Sequence, residues 1–251
     1  MKQFYPLSFS SLSRFAESPL SFLHYKTADF EQTPAMKLGT LVHRKVLEPA
    51  EYAQTVVVFE GRRSGPQWRE FAAENVSRDI VTTTEHNKIE AIADSIAGSL
   101  LACDILDQCP HREREVKWTR DGVPHRGFVD AFGSGCVVDL KVTVNVSAKD
   151  IQRMVYDRRY YMQAAMYMDG LNQNGHDVKH AYIIAVQSAA PHHVRVCHLP
   201  SHYLVRGHDE WGQHLERFKD WDGKGHHSHD GDEITTIDAP AWAPIPAGMT
   251  T

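Results

Sequence analysis

The chain has 251 residues, 42% hydrophobic, 24% charged and 10% aromatic, an ordinary globular composition with apolar material for one large or two small domains. No apolar run of 18 residues occurs, which excludes a membrane-crossing helix, and Met1–Pro6 opens no signal-peptide-like apolar stretch, which reads against secretion. The net charge of −5 arises in residues 220–251, where six acids face one base; residues 1–219 balance 26 acids against 26 bases, so any nucleic-acid contact must be a local basic patch.

The four cysteines, Cys103, Cys109, Cys136 and Cys197, form no C-x-x-C pair. That pattern fits free thiols in a reducing compartment and argues against a zinc ribbon or an iron–sulfur cluster. Ser18-Pro19 predicts an N-cap followed by proline at the first helical position, opening a short helix through Tyr25. A second helix is expected from about Ala35 to Leu47, stopping before Pro49. Arg62-Arg63-Ser64-Gly65-Pro66 reads as a basic loop leading into a helix near Trp68–Glu74. Thr82 with Glu85 is a capping-box pattern, and Ile89, Ile92, Ile96 and Leu100 follow at helical spacing.

Strand patterns begin after Pro110. Glu113–Thr119 alternates, Asp121-Gly122 is a two-residue hairpin signal, Arg126–Phe132 continues, and Gly133-Ser134-Gly135 turns the chain into Cys136–Val142. Ser147 with Asp150 then starts a long helix ending near Gly170 or Gly175. Ala181–Gln187 and His193–Leu199 read as a closing hairpin, followed by a helix from Ser201 to about Lys219. The expected fold is a single α/β domain with a mixed central β-sheet flanked by helices and an N-terminal helical segment. Residues 223–251, rich in Gly, His, Pro and acids, read as a solvated tail rather than a metal site.

Asp139 and Lys141 share one face of their strand. A two-residue turn at Ser134-Gly135 puts Asp130 opposite Asp139, and one at Asp121-Gly122 puts Glu113 opposite Asp130. Glu115 then falls opposite Phe128, so Glu113 is preferred and Glu115 is the alternative. Three aligned carboxylates need compensation, which divalent cations such as Mg²⁺ or Mn²⁺ supply. A lysine beside such an ion orients water for attack on a phosphodiester. Asp-x-Lys alone is common as a solvated surface ion pair; the register is what raises it above that. Tyr156, Tyr160, Gln163 and Tyr167 follow one helical face, and a glutamine buried there needs a polar cavity.

Glu113, Asp130 and Asp139-Leu-Lys141 together resemble the core of the PD-(D/E)xK nuclease superfamily, restriction-endonuclease-like in fold. More narrowly, Gly39-Thr-Leu-Val-His43 with Leu47-Glu-Pro49, Val138-Asp-Leu-Lys-Val-Thr143 and Tyr160-Tyr-Met-Gln-Ala-Ala-Met-Tyr167 are similar to the ordered motifs of RecE-type exonucleases (exonuclease VIII), relatives of the RecB-type and lambda-exonuclease-like nucleases. Leu7–Ser10 and Ser18-Pro19 match the opening helices more loosely, so the likeness spans about residues 7–187. It departs from the family where Val142 separates Lys141 from Thr143 and where Tyr161 stands in place of a frequent histidine.

The resemblance implies metal ligation by His43, Asp130, Asp139 and the Leu140 carbonyl, with Glu113 completing the set, and two Mg²⁺ (or Mn²⁺) per site. It implies Lys141 positioning the attacking water, with Gln163, Tyr160 and Tyr167 shaping the wall or touching the strand. Arg62, Arg63, Arg69, Arg153, Arg158 and Arg159 are the candidate phosphate contacts. The implied activity is a Mg²⁺-dependent exonuclease on linear double-stranded DNA, 5′ to 3′, leaving 3′ single strands for recombination. The implied setting is the cytoplasm of a bacterial or phage-infected cell, with a homo-oligomeric ring and a single-strand annealing partner. The nuclease domain is expected over residues 1–222, its catalytic core over about 111–187. The alternatives are an endonuclease or single-strand-specific nuclease of the same superfamily, or a non-catalytic DNA-binding module.

Overall fold

The computed structural model describes residues 2–29, 31–133 and 135–225, so most of the expected tail, residues 226–251, lies outside the described residues. Helix α1 (Phe9–Glu17) is closed at its start by reciprocal bonds between Ser8 and Ser11. Helix α2 (Pro19–Thr27) begins as expected, the Ser18 hydroxyl accepting from the Ser21 N–H at 3.0 Å. Helix α3 (Pro34–Leu47) also ends where expected, but Pro49 immediately opens a further helix, α4 (Pro49–Thr55). Proline stops one helix and suits the first position of the next.

Two four-residue strands, β1 (Val56–Phe59) and β2 (Asp79–Thr82), pair in parallel around helix α5 (Gly65–Glu74). The Thr82–Glu85 capping box opens α6 (Thr83–Ala97), which buries Ile89, Ile92 and Ile96. Leu100 does not extend that stripe. The helix ends at Gly98, and Leu100 starts α7 (Leu100–Asp107) 82% exposed.

Strands β3 (His111–Arg120) and β4 (Val123–Phe132) pair in the expected register, with Arg114 opposite Val129 and Trp118 opposite His125. Their turn uses left-handed backbone at Asp121 (φ 50°) and Gly122 (φ 77°), as a two-residue hairpin requires. Strand β5 (Gly135–Thr143) also meets β4 in the expected register, Ala131 opposite Val138 and Phe132 opposite Val137. That contact lasts only two pairs. Beyond it β5 leaves β4 and runs parallel to β6 (Val178–Gln187), which pairs antiparallel with β7 (Val194–Leu199). The sheet is mixed, in the order β3-β4-β5-β6-β7.

The expected long helix is two: α8 (Ala148–Asp157) and α9 (Tyr160–Gln173), broken at Arg159, which takes φ 54°. The break takes Tyr156 out of the aromatic face, leaving it 48% exposed under Arg206. Helix α10 (Ser201–Asp220) closes the described chain. Neighbouring residues of β5 and β6 serve opposite cores: Val137 and Ile183 pack with α1, α9 and α10, Val138 and Ile184 with α3, α6 and α7. Among the described residues no helix is long and apolar enough to cross a membrane.

His125 is built into the first core as a neutral imidazole. Its Nδ1–H donates to the Val123 carbonyl at 2.8 Å, and its Nε2 accepts from the Trp211 indole at 3.2 Å. Burial, with Arg120 nearby, brings its pKa down to about 4 against the bond to Val123. The unfolded chain therefore binds a proton between about pH 6.5 and 4 that the native state refuses, so stability falls as pH drops through that window. Acid titration of the wild type should lose about 3 kcal/mol there by this group, and His125→Phe should flatten that slope. An unchanged slope in His125→Phe would show the imidazole has no part in it.

Candidate active site

An open groove of about 1150 Å³ runs between α3 and α8, floored by the end of β5 from Leu140 to Thr143 and by Val144 and Asn145 after it. On α3, Gly39 lines it, and a Cβ added there would meet nothing within 4 Å, so its small size opens the groove rather than allowing helix packing. One turn later, His43 Nδ1 lies 3.6 Å from both Glu113 Oε1 and Asp130 Oδ2. Ligand atoms of these three residues all fall within 4.8 Å of one another.

Glu113 reaches this point because its backbone is left-handed, at φ 44°, and it drops out of the β3–β4 ladder that continues on either side. Such a conformation in a non-glycine residue is unfavourable by about 1–2 kcal/mol and is characteristic of functional positions. Glu115 instead faces Phe128 and pairs with Lys117 at 2.9 Å. Where β5 departs from β4, the freed Leu140 N–H donates to Asp130 Oδ2 at 2.7 Å, fixing that carboxylate.

Asp139 projects beside this group but not into it. Its Oδ1 accepts from Lys141 Nζ at 2.7 Å, and its buried Oδ2 has no protein donor. The Lys141 ammonium also sits 4.5 Å from the centre of the Tyr160 ring. Gln163 donates from Nε2 to the Tyr167 hydroxyl at 3.2 Å, leaving its own Oε1 buried and unpartnered. Burial works against a charged Lys141, yet Asp139 and Asp130 outweigh it and hold the ammonium protonated. Burial likewise opposes charge on His43, and Asp130 with the bond to Glu113 raises its pKa. Burial pushes the Asp139 carboxyl up while Lys141 pulls it down.

A divalent cation fits these donors: two carboxylates and an imidazole converge, and the orphaned Asp139 oxygen adjoins them. Of the expected side-chain ligands, His43, Asp130 and Glu113 converge, whereas Asp139 is engaged with Lys141.

The basic residues divide. Arg153 and Arg158 line the groove, Arg153 in an exposed pair with Asp157. Arg62 and Arg69 are exposed but outside its lining. Arg63 is held by Glu85 at 2.5 Å and by the Ile80 carbonyl at 3.0 Å, and Arg159 is turned away to Glu210 at 2.6 Å, where Tyr161 also donates. Both arginines brace the fold, because each carboxylate partner fixes the guanidinium away from the groove. Tyr167 is buried, its ring against Gly127, so it supports the site from below and presents no surface to a strand. Arg44 and Lys88 also line the groove, though neither stands in a motif that marks it.

Residues 8–240 match the family described as "PDDEXK-like domain of unknown function (DUF3799)". No curated protein matches the chain. A crystal structure of a provisionally named exonuclease from Eubacterium rectale superposes with a TM-score of 0.65 at 15% identity, covering 93% of this chain and 89% of that one. At that identity the likeness speaks for the fold.

Proposed function

The chain belongs to this PDDEXK-like family, and from that premise we propose that it is a divalent-metal-dependent deoxyribonuclease. The observation that carries the reading is the convergence of His43, Glu113 and Asp130 beside the buried Asp139–Lys141 pair. Within that reading it is an exonuclease of RecE type, taking linear duplex ends 5′ to 3′ and leaving 3′ single strands for annealing. The ordered motifs support this, as does the fold shared with the Eubacterium rectale protein. A ring of like subunits, an annealing partner and a role in phage or bacterial recombination belong to the same reading. Four free cysteines are in keeping with a reducing cytoplasm.

Mg²⁺ would be held by His43, Glu113 and Asp130, with Asp139 adjoining. When bound, a divalent cation polarises the phosphodiester and favours ionised water. Lys141, charged and fixed by Asp139, orients the attacking water and faces the negative charge that develops on the phosphate oxygens. The Leu140 N–H keeps the Asp130 carboxylate aimed. Arg153 and Arg158 meet the phosphates of the entering strand along the groove.

Asp130→Asn should weaken Mn²⁺ binding by more than the roughly 10–100-fold lost with an outer-shell partner; calorimetry showing wild-type affinity would remove Asp130 from the ligand set. A closed duplex circle tested beside its linearised form checks the exonuclease assignment. The linear form should disappear and the circle persist. A cut circle would replace this assignment with an endonuclease.

A further inference from the structure

The even-numbered residues of β4 from Pro124 to Asp130 share one face, alternating with buried Val123, His125, Gly127 and Val129. Asp130 ends this row in the active site, and Phe128 stands about 7 Å before it. Among the described residues Phe128 is left 57% exposed, a large aromatic on an open sheet face. Lone exposed apolar residues are ordinary, but the surroundings of this one are not. Next along the row, Arg126 pairs across the hairpin with Lys117, their side chains 50% and 68% exposed. Lys26 of α2 lies within electrostatic reach of Arg126, which adds to burial in lowering its pKa. The one acid among them, Glu115, lies 2.9 Å from Lys117 and 3.9 Å from Arg126.

We infer that the open face of the β3–β4 hairpin is a single-stranded nucleic-acid track, in which a base beside the site stacks on Phe128 and the following phosphates lie against Arg126, Lys117 and Lys26. A ring that accepts any base, next to a short cationic row, is the composition of a sequence-tolerant single-strand seat. A duplex has no unstacked base to offer Phe128. Beyond Phe128 the cations Lys117, Arg126 and Lys26 outnumber Glu115, while Asp130 and Glu113 lie at the active-site end of the face. The inference deepens the nuclease reading and rests on it, since it assigns a path to the strand that enters or leaves that site.

The test is fluorescence anisotropy with labelled oligothymidylate and with a blunt hairpin duplex, in EDTA, over a range of salt. Phe128→Ala should weaken oligothymidylate binding about 5- to 150-fold and duplex binding less than about twofold. Lys117→Ala with Arg126→Ala should reduce the slope of log affinity against log salt by roughly 1.4. Glu115→Gln should tighten binding. Wild-type oligothymidylate affinity in Phe128→Ala, an equal loss on both DNAs, or no binding by the wild type would overturn the track. Wild-type cleavage in Mg²⁺ separates the two ideas. Cutting with Phe128-independent binding removes the track alone, whereas Phe128-dependent binding without any cutting keeps the track and removes the nuclease.

Discussion

Lys141→Ala should lower the single-turnover cleavage rate by about 10²–10⁴-fold, the range associated with losing one positioned proton-handling or charge-stabilising group. DNA affinity should stay within a few-fold of wild type, because the groove arginines are untouched. The expectation rests on how fully this ammonium is determined. It is pinned by Asp139 at 2.7 Å, lies against the Tyr160 ring, and is kept charged by two carboxylates despite burial. Removing it leaves Asp139 without a donor on either oxygen, and burial then drives that carboxyl to take up a proton. The fold should therefore survive with a modest loss. Lys141→Arg should not rescue the rate, since a planar guanidinium cannot take the place of a point ammonium in this space. Near-wild-type turnover in Lys141→Ala would end its assigned role.

Gly133→Ala should destabilise the protein by about 3 kcal/mol, a fall in thermal midpoint of roughly 6–12 °C for a chain of this size. Gly133 closes the link from β4 to β5, its N–H donating to the Cys136 carbonyl at 3.0 Å. A Cβ there would lie 1.9 Å from the Gln108 carbonyl oxygen, 2.8 Å from Pro110 Cδ and 2.9 Å from Cys109 Cα. All three neighbours are backbone or proline ring, so no flexible side chain can yield. The turn or the α7–β3 connection must move, and with it the strand that carries Asp139 and Lys141. Gly39→Ala is the contrasting case. Its Cβ meets nothing, and alanine in a helix interior gains about 1 kcal/mol over glycine. Thermal melts of the two variants check both signs, and equal midpoints would contradict the packing argument.

The sequence made the hairpin registers legible because their turns leave few options. Asp121-Gly122 forces a two-residue loop, and the resulting register carries Arg114 to Val129 and Glu115 away from the site. Helix starts at Ser18-Pro19 and Thr82–Glu85 were equally readable, each being a local hydrogen-bond pattern. Side-chain partnership was not. Register puts Asp130 and Asp139 across from one another, but the strands separate after Ala131, and Lys141 claims Asp139. The kink at Glu113 has no sequence signature, as φ 44° in a glutamate is imposed by its surroundings. The break at Arg158–Arg159 has no proline or glycine to mark it, and Arg159 there bonds Glu210, 51 residues distant. Strands β1 and β2, four residues each, are too short for alternation to distinguish. Phe128 was readable in principle, since strict alternation along β4 already turned it outward.

The most direct test of the central claim is a time course on linear duplex DNA labelled at either the 5′ or the 3′ end, with Mg²⁺ and with EDTA. The expected result is early release of the 5′ label in Mg²⁺, persistence of the 3′ label in long products, and no release of either in EDTA. DNA that stays bound but uncut, with both labels retained in Mg²⁺ and in Mn²⁺, would contradict it and leave His43, Glu113, Asp130 and Lys141 as parts of a binding module.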